Sequence, residues 1–307
     1  MQKVSGFQWP RRLLIVGCGD VLSRALPWLS RRFRVLATAR SPESAARLRA
    51  LGVVPVCADL DHPTTLRRLG GLADLVIHGA PPPASGQRDP RSRRLVAALA
   101  HRAKRPSLAQ RLRRAVYLGT SGIYGDCAGA WVAETRPPQP ASDRARRRLD
   151  AERTLRAWAR RQRVGLALLR VPGIYAAKRL PLARVERGDV CIERDDDSYS
   201  NHIHADDLAR AVCAALFRGR PLRSYHINDD LPLKMGDWFD LVADAHALPR
   251  PPRVGRAEAR ARLTPAMVSY LDESRRLDNR RAKRELRLRL AYPSALSLLA
   301  QHAKSTG

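Results

Sequence analysis

The apolar positions of this chain fall in short runs, and the runs alternate with stretches of helical period. Leu13–Val16 is apolar throughout, and a helical stretch from about Val21 to Arg31 follows it. The pair of signals then repeats. Phe33–Ala39 precedes Pro42–Leu51, Val53–Cys57 precedes Pro63–Leu69, and Ala73–His78 precedes Arg91–Lys104. Ala115–Leu118 precedes the long helical stretch Ser142–Arg163, and Gly165–Val171 follows as a sixth strand. Short, wholly apolar strands alternating with helices imply a parallel sheet covered on both faces. Right-handed crossovers then predict an α/β fold with a doubly wound parallel sheet.

After Val171 the pattern loosens, and prolines recur at 172, 181, 221, 232, 249, 251 and 252. A helix is expected from Asp206 or Asp207 to Phe217, because aspartate caps a helix N-terminus well. Ser224–Ile227 reads as a late strand returning to the sheet. Residues 173–307 are therefore expected to form a smaller mixed lobe over the ligand cleft, with Pro249–Arg262 as its mobile loop. No apolar run is long enough to span a bilayer, and Met1–Pro10 lacks the apolar core of a secretory signal. The five cysteines are widely spaced and form no metal-type or Cys-x-x-Cys pair, which suits reduced thiols. A cytoplasmic protein without membrane association is expected.

The formal net charge is +28, yet lysine supplies only six of the 57 basic residues. Such arginine-heavy usage reflects a GC-rich genome as readily as a polyanionic partner. The basic residues spread over Arg91–Lys104, Arg144–Arg163 and Arg275–Arg289, whereas a nucleic-acid reader concentrates charge on one face. No specific nucleic-acid partner is expected.

Candidate chemistry begins where the first strand ends, at Gly17-Cys18-Gly19-Asp20-Val21-Leu22. A tight glycine turn between strand and helix lets backbone N–H groups approach a pyrophosphate. The motif is incomplete, because Leu22 stands where a third glycine is usual. Residues 11–172 are read on this basis as a dinucleotide-binding Rossmann domain, with the sheet completed by about residues 224–228. The second strand ends at Arg40-Ser41, where NAD binders usually place a carboxylate for the ribose hydroxyls. Arg40 reads equally as a partner for a 2′-phosphate, favouring NADP with NAD as the alternative, or as one more surface arginine. Asp59 and Leu60 close the third strand. They can receive the adenine amino group and pack on its ring, or Asp59 can serve the following turn. Ala80 and Pro81 follow the fourth strand, where small residues let the chain run close to a ligand.

Three further segments carry a resemblance. They are Tyr117-Leu118-Gly119-Thr120-Ser121-Gly122-Ile123-Tyr124-Gly125-Asp126, Arg170-Val171-Pro172-Gly173-Ile174-Tyr175, and Asn201-His202-Ile203-His204-Ala205-Asp206-Asp207. With Tyr225–Asp229 and the later Ser274–Asn279, their order and spacing resemble the extended or atypical short-chain dehydrogenase/reductases of the NAD-dependent epimerase/dehydratase group. The resemblance spans about Leu13 to Pro293. It implies a seven-stranded Rossmann sheet with a smaller C-terminal substrate lobe. It places Pro172 and Gly173 beside the cofactor, and it implies a hydroxyl residue at Thr120. It also implies a tyrosine with a lysine four residues later, but those slots hold Arg144 and Arg148. Arginine is a poor proton donor at neutral pH. Thr120 and Tyr124 are then the catalytic candidates. Arg144 and Arg148 share one helix face, which reads as an anion clamp or, given Arg146-Arg147-Arg148, as a solvated face. His202-x-His204 reads as the strand-to-helix junction, not a metal site with Asp195–Asp197, and Glu134 as structural. Relatives of this kind pair through their long helices. A homodimer is open on that ground, although the arginines of 144–163 oppose it.

Three functions follow. The first is an NAD(P)-dependent oxidoreductase or epimerase-like enzyme on a small-molecule substrate, working without the Tyr-x-x-x-Lys pair. The second is an NAD(P)-binding sensor or assembly protein without turnover. The third, a basic nucleic-acid binder, rests on charge alone.

Overall fold

Each residue of Leu13–Val16 is fully buried, and alternate side chains enter opposite cores. Leu13 and Ile15 join one apolar cluster, while Leu14 and Val16 join another. A computed structural model describes residues 11–100 and 112–299. In it this strand, β1 (Arg12–Val16), lies inside a seven-stranded sheet. The others are β2 (Arg34–Ala39), β3 (Val54–Cys57), β4 (Leu75–His78), β5 (Arg114–Thr120), β6 (Gly165–Val171) and β7 (Arg223–His226). The order is β7-β6-β5-β4-β1-β2-β3, and every neighbouring pair is parallel. Strand order reverses between β1 and β4, which opens a crevice at their carboxyl ends.

Helices α1 (Asp20–Ser30), α2 (Pro42–Ala50) and α5 (Ala205–Arg218) bury their apolar stripes on one face of the sheet. Helices α3 (Pro90–Ala100) and α4 (Asp143–Gln162) cover the other. Pro63–Leu69 is helical but of the tighter 3₁₀ type. Residues 101–104 of the expected Arg91–Lys104 helix lie outside the described residues, as do Met1–Pro10. Both β7 and α5 come from beyond residue 172 and belong to the sheet layers. Of the remaining C-terminal segments, some gather around an apolar cluster containing Tyr175, Trp238, Phe239 and Val242, and others around Val190, Ile192, Ala259 and Leu271.

Two expectations change. The cap of α5 is His204, whose Nδ1 accepts from the Asp206 N–H at 3.2 Å. Asp207 instead turns inward, fully buried, and accepts the N–H groups of Ala291 and Tyr292. The stretch Pro249–Arg262 is not a loop. Arg253–Val254 pairs with Cys191–Ile192, and Arg256–Arg262 is helical. What orders it is the Arg253 guanidinium, which donates to the carboxylates of Asp237 and Asp240 and to the Ile192 carbonyl. Among the described residues no helix is long and apolar enough to cross a membrane.

Candidate functional site

The turn from β1 to α1 is built around two glycines with different duties. Gly17 has φ +84°, and a Cβ there would stand 2.6 Å from the Ala80 nitrogen. Only glycine lets the turn press against the exit of β4. The Gly17 N–H donates to Thr38 Oγ1 at 3.2 Å, which ties the turn to β2. Gly19 is the α1 N-cap; no side chain caps the helix, and a Cβ at Gly19 would meet nothing within 4 Å. An uncapped helix start beside open space is an anion site by geometry and dipole. Leu22 is only 2% exposed. Its side chain packs into the room that Gly79 leaves, since a Cβ on Gly79 would sit 2.7 Å from Leu22 Cδ1. The bulk at the third-glycine position is thus absorbed by the core.

Val21 points into that same core, and Cys18 is buried. Burial pushes the Cys18 thiol pKa up, with Ser23 and Arg47 pulling the other way. Asp20 lies in the first turn of α1. Burial acts to raise its pKa, but hydrogen bonds from Arg179 and Arg24 outweigh that and hold it low.

Arg40 is exposed at the end of β2, and Ser41 caps α2 reciprocally with Ser44. One basic residue at this end has no counterpart in the sequence reading. Arg47 on α2 donates through Nη2 to the Cys18 carbonyl at 3.4 Å, so a second guanidinium reaches the glycine turn. Its only signal in sequence is its place on a helix following β2. Asp59 serves its own turn, accepting from the Asp61 N–H and pairing with His62. The Asp61 N–H holds the Asp59 pKa low. Leu60 is 8% exposed and packs in the core with Val56 and Leu66. Ala80 is half-buried, and the carbonyl of Pro81 accepts from Arg91 at 3.0 Å. Pro172 and Gly173 follow β6, where the Gly173 N–H donates to Asn201. At the end of β4, His78 donates from Nε2 to Ser92 Oγ at 3.0 Å, because Ser92 gives its own proton to Asp89 at 2.6 Å. Burial drives the His78 pKa down to about 3, with Arg148 adding to it.

Thr120 ends β5 half-buried, and its Oγ1 accepts the Gly122 N–H at 3.2 Å. Its own proton is left to donate. Tyr124 is placed differently. It is 1% exposed, and its hydroxyl lies 2.5 Å from Arg170 Nη1 and 2.6 Å from His226 Nε2. His226 Nδ1 lies 3.0 Å from the Asp278 carbonyl and must donate to it, so Nε2 is the acceptor for the Tyr124 proton. Arg170 is held in turn by both oxygens of Glu152 and by the Glu134 carbonyl. Burial pushes the Tyr124 pKa up to about 12 against the pull of Arg170, and drives that of His226 down to about 3. The Tyr124 proton is thus spent on His226 inside a buried network. Glu134 accepts the His226 N–H, which fits its structural reading.

The arginines of α4 do not form one solvated face. Arg147 is buried and donates to the Gly86 carbonyl. Arg148 is half-buried and donates to the Leu118 carbonyl at 3.1 Å. The Arg144 guanidinium stacks 3.9 Å from the ring centre of Tyr270. Arg146 alone of the four is exposed, paired with Asp143. Glu273 also lies against this end, with Oε2 3.7 Å from where a Gly122 Cβ would stand, and is bridged by Arg275 at 2.9 Å. His202 and His204 are buried beside the Tyr175 ring. Asp197 accepts the N–H groups of Ser198 and Gly236. Among the described residues no three His, Cys, Asp or Glu side chains are placed to hold a metal ion.

Comparison with solved structures returns the same architecture. A functionally unknown conserved protein from Silicibacter pomeroyi superposes with TM-score 0.76 at 29% identity, covering 96% of this chain and 99% of that one. The dTDP-glucose 4,6-dehydratase of Streptomyces venezuelae, solved with NAD bound, gives TM-score 0.72 at 19% identity, with 95% and 96% covered. The UDP-glucose 4-epimerase of Thermotoga maritima, solved with UDP-glucose, gives 0.70 at 18%, with 96% and 99% covered. No curated protein matches the chain. The family model "NAD dependent epimerase/dehydratase family" matches residues 18–228, well over half of the sequence, and the chain belongs to that family.

Proposed function

We propose that this chain binds a nicotinamide dinucleotide at the β1–α1 crossover, NADP ahead of NAD, and acts on a small-molecule substrate as an oxidoreductase or epimerase-like enzyme. The observation that carries this reading is the pairing of Gly17, pressed onto Ala80 at φ +84°, with Gly19, open beside an uncapped helix start. The backbone of Gly17–Leu22 would hold the diphosphate. The Asp20 carboxylate is neutralised there by Arg24 and Arg179. Arg40, Ser41 and Arg47 would take the 2′-phosphate, and two guanidiniums where NAD binders place a carboxylate at the end of β2 support NADP, against the Glu43 carboxylate two residues past Ser41. Asp59, Leu60, Ala80 and Pro81 would border the adenosine half, and Pro172 and Gly173 the nicotinamide half.

The bound nicotinamide would supply hydride exchange with a substrate carbon. Thr120 would orient the substrate oxygen through the proton its hydroxyl has left to give. The Tyr-x-x-x-Lys slots hold Arg144 and Arg148, which can bind an anion or fix the β5 backbone but are poor proton donors. With Tyr124 committed to His226, proton transfer would pass through Thr120 and solvent. That same commitment supports a second reading, a cofactor-binding sensor or assembly protein without turnover.

Titration with NADPH and NADH, followed by nucleotide fluorescence, tests the binding step. Saturable binding with NADPH the tighter is expected, and no binding of either ends both readings. Oxidation or reduction within a panel of carbonyls and sugar nucleotides supports the enzyme. Binding without any turnover supports the sensor.

A further inference from the structure

On the solvent side of the seam between α1 and α5 lies an open cavity of about 590 Å³. That volume falls in the range of pockets for small ligands. Its floor is small and apolar, formed by Ala25, Ala209 and Ala214. Trp28 and Phe217 wall it, yet stay 37% and 45% exposed. Their rings meet edge to face at 5.4 Å, and Phe33 stacks on Phe217 behind them at 5.8 Å. The wall is therefore a packed aromatic cluster with one side open to solvent.

The two ends of the cavity differ in charge. At the α5 N-terminus Arg24 is neutralised by Asp20 and Asp206, and Arg210 by Asp207. At the helix C-termini stand Arg32 and Arg218. Arg32 lies 4.0 Å over the Trp28 ring and donates to the Trp28 carbonyl, and Arg218 donates to the Leu286 carbonyl. Neither has a carboxylate within ion-pair distance among the described residues. One end is thus a compensated ion pair and the other a pair of uncompensated cations. From Arg24 to Arg32 the groove runs for roughly 12 Å at 1.5 Å per residue, a span suited to a medium-length acyl chain.

We propose that this groove binds a free medium-chain carboxylate, its chain along the alanine floor and its anionic head between Arg32 and Arg218. A second copy of this protein fits poorly, since it would bring arginine against arginine. The site lies on the solvent side of the two helices and does not depend on the nucleotide reading.

The test is calorimetric titration of the intact protein with decanoate, below its micelle concentration and at physiological salt. One saturable site is expected, with decyltrimethylammonium binding at least about tenfold more weakly. Arg32→Glu combined with Arg218→Glu should weaken decanoate by about tenfold or more. Arg67→Glu combined with Arg68→Glu, an equal charge change on the exposed face of Pro63–Leu69, should leave it unchanged. Trp28→Ala should weaken both chain compounds together. The proposal fails if the two charge pairs act alike, if the cationic chain binds as well, if many sites fill without saturation, or if only anionic lipid vesicles bind.

Discussion

The β1–α1 crossover and the β5–α4 end border one cleft of one sheet, yet they answer to different constraints. At the crossover, backbone geometry dominates. Gly17 is fixed by a clash that any Cβ would create, and Leu22 is tolerated because Gly79 gives it room. At the other end, side-chain charge dominates. Glu152, Arg170, Tyr124 and His226 form a closed buried network, and Arg148 of α4 donates to the β5 backbone at Leu118. A glycine cradle constrains only shape, so it survives changes in neighbouring side chains. Proton chemistry depends on particular groups, and those can be rewired while the cradle stands.

The largest effect that tests this contrast belongs to the network. Glu152→Ala leaves the buried Arg170 without its bidentate partner, which is expected to cost about 3–5 kcal/mol. Chemical denaturation should record it as a lower midpoint. A loss below about 1 kcal/mol would mean that water reaches the pair and the network is not closed. The same region should be acid-labile. His226 is held at about 3, against 6.5 when unfolded, chiefly by burial. At the crossover side His78 is likewise at about 3. Both folded values lie below the unfolded one, so the stability they contribute is complete above pH 6.5 and falls as pH drops toward 3. Urea midpoints at pH 7, 5 and 4 should decline in that order.

Gly17→Ala comes next. The left-handed φ costs a non-glycine residue about 1–2 kcal/mol, and the contact with Ala80 adds to it. A melting temperature lower by several degrees is expected, together with loss of NADPH binding. Unchanged binding would show that the crossover is not where the nucleotide sits.

Tyr124→Phe should cost about 1–3 kcal/mol, because it leaves His226 Nε2 and one Arg170 N–H without their partner. Affinity for nucleotide should hold. The opposite pattern, stability kept and turnover lost, would return Tyr124 to the cleft as a proton donor.

Much of this was legible in the chain. Buried parallel strands announce themselves as uniform apolar runs, and β1 to β6 stand close to where the runs predict them. The glycine turn was visible because short motifs encode backbone shape. What sequence hid was which partner each polar group finds. Asp207 looks like a helix cap and instead holds the backbone of Ala291 and Tyr292, residues far along the chain. The stretch 249–262 looks like a loop because its order comes from Arg253 reaching Asp237 and Asp240. Tyr124 looks available until Arg170 and His226 close on it. Each depends on contacts between residues distant in sequence, which local pattern does not carry.

The smallest expected effect is the one that most sharpens the crossover. Arg40 and Arg47 both stand at the edge where a 2′-phosphate would lie, but only Arg47 touches the turn, through the Cys18 carbonyl. Removing either should weaken NADPH by about tenfold, the worth of one charge-assisted contact, and leave NADH within about twofold. Arg40→Ala and Arg47→Ala, titrated with both nucleotides at two ionic strengths, separate a specific phosphate contact from the bulk field of a +28 chain. A specific contact lowers NADPH affinity at both salts. A field effect lowers both nucleotides together and fades as salt rises, in which case the arginines say nothing about which nicotinamide dinucleotide the crossover takes.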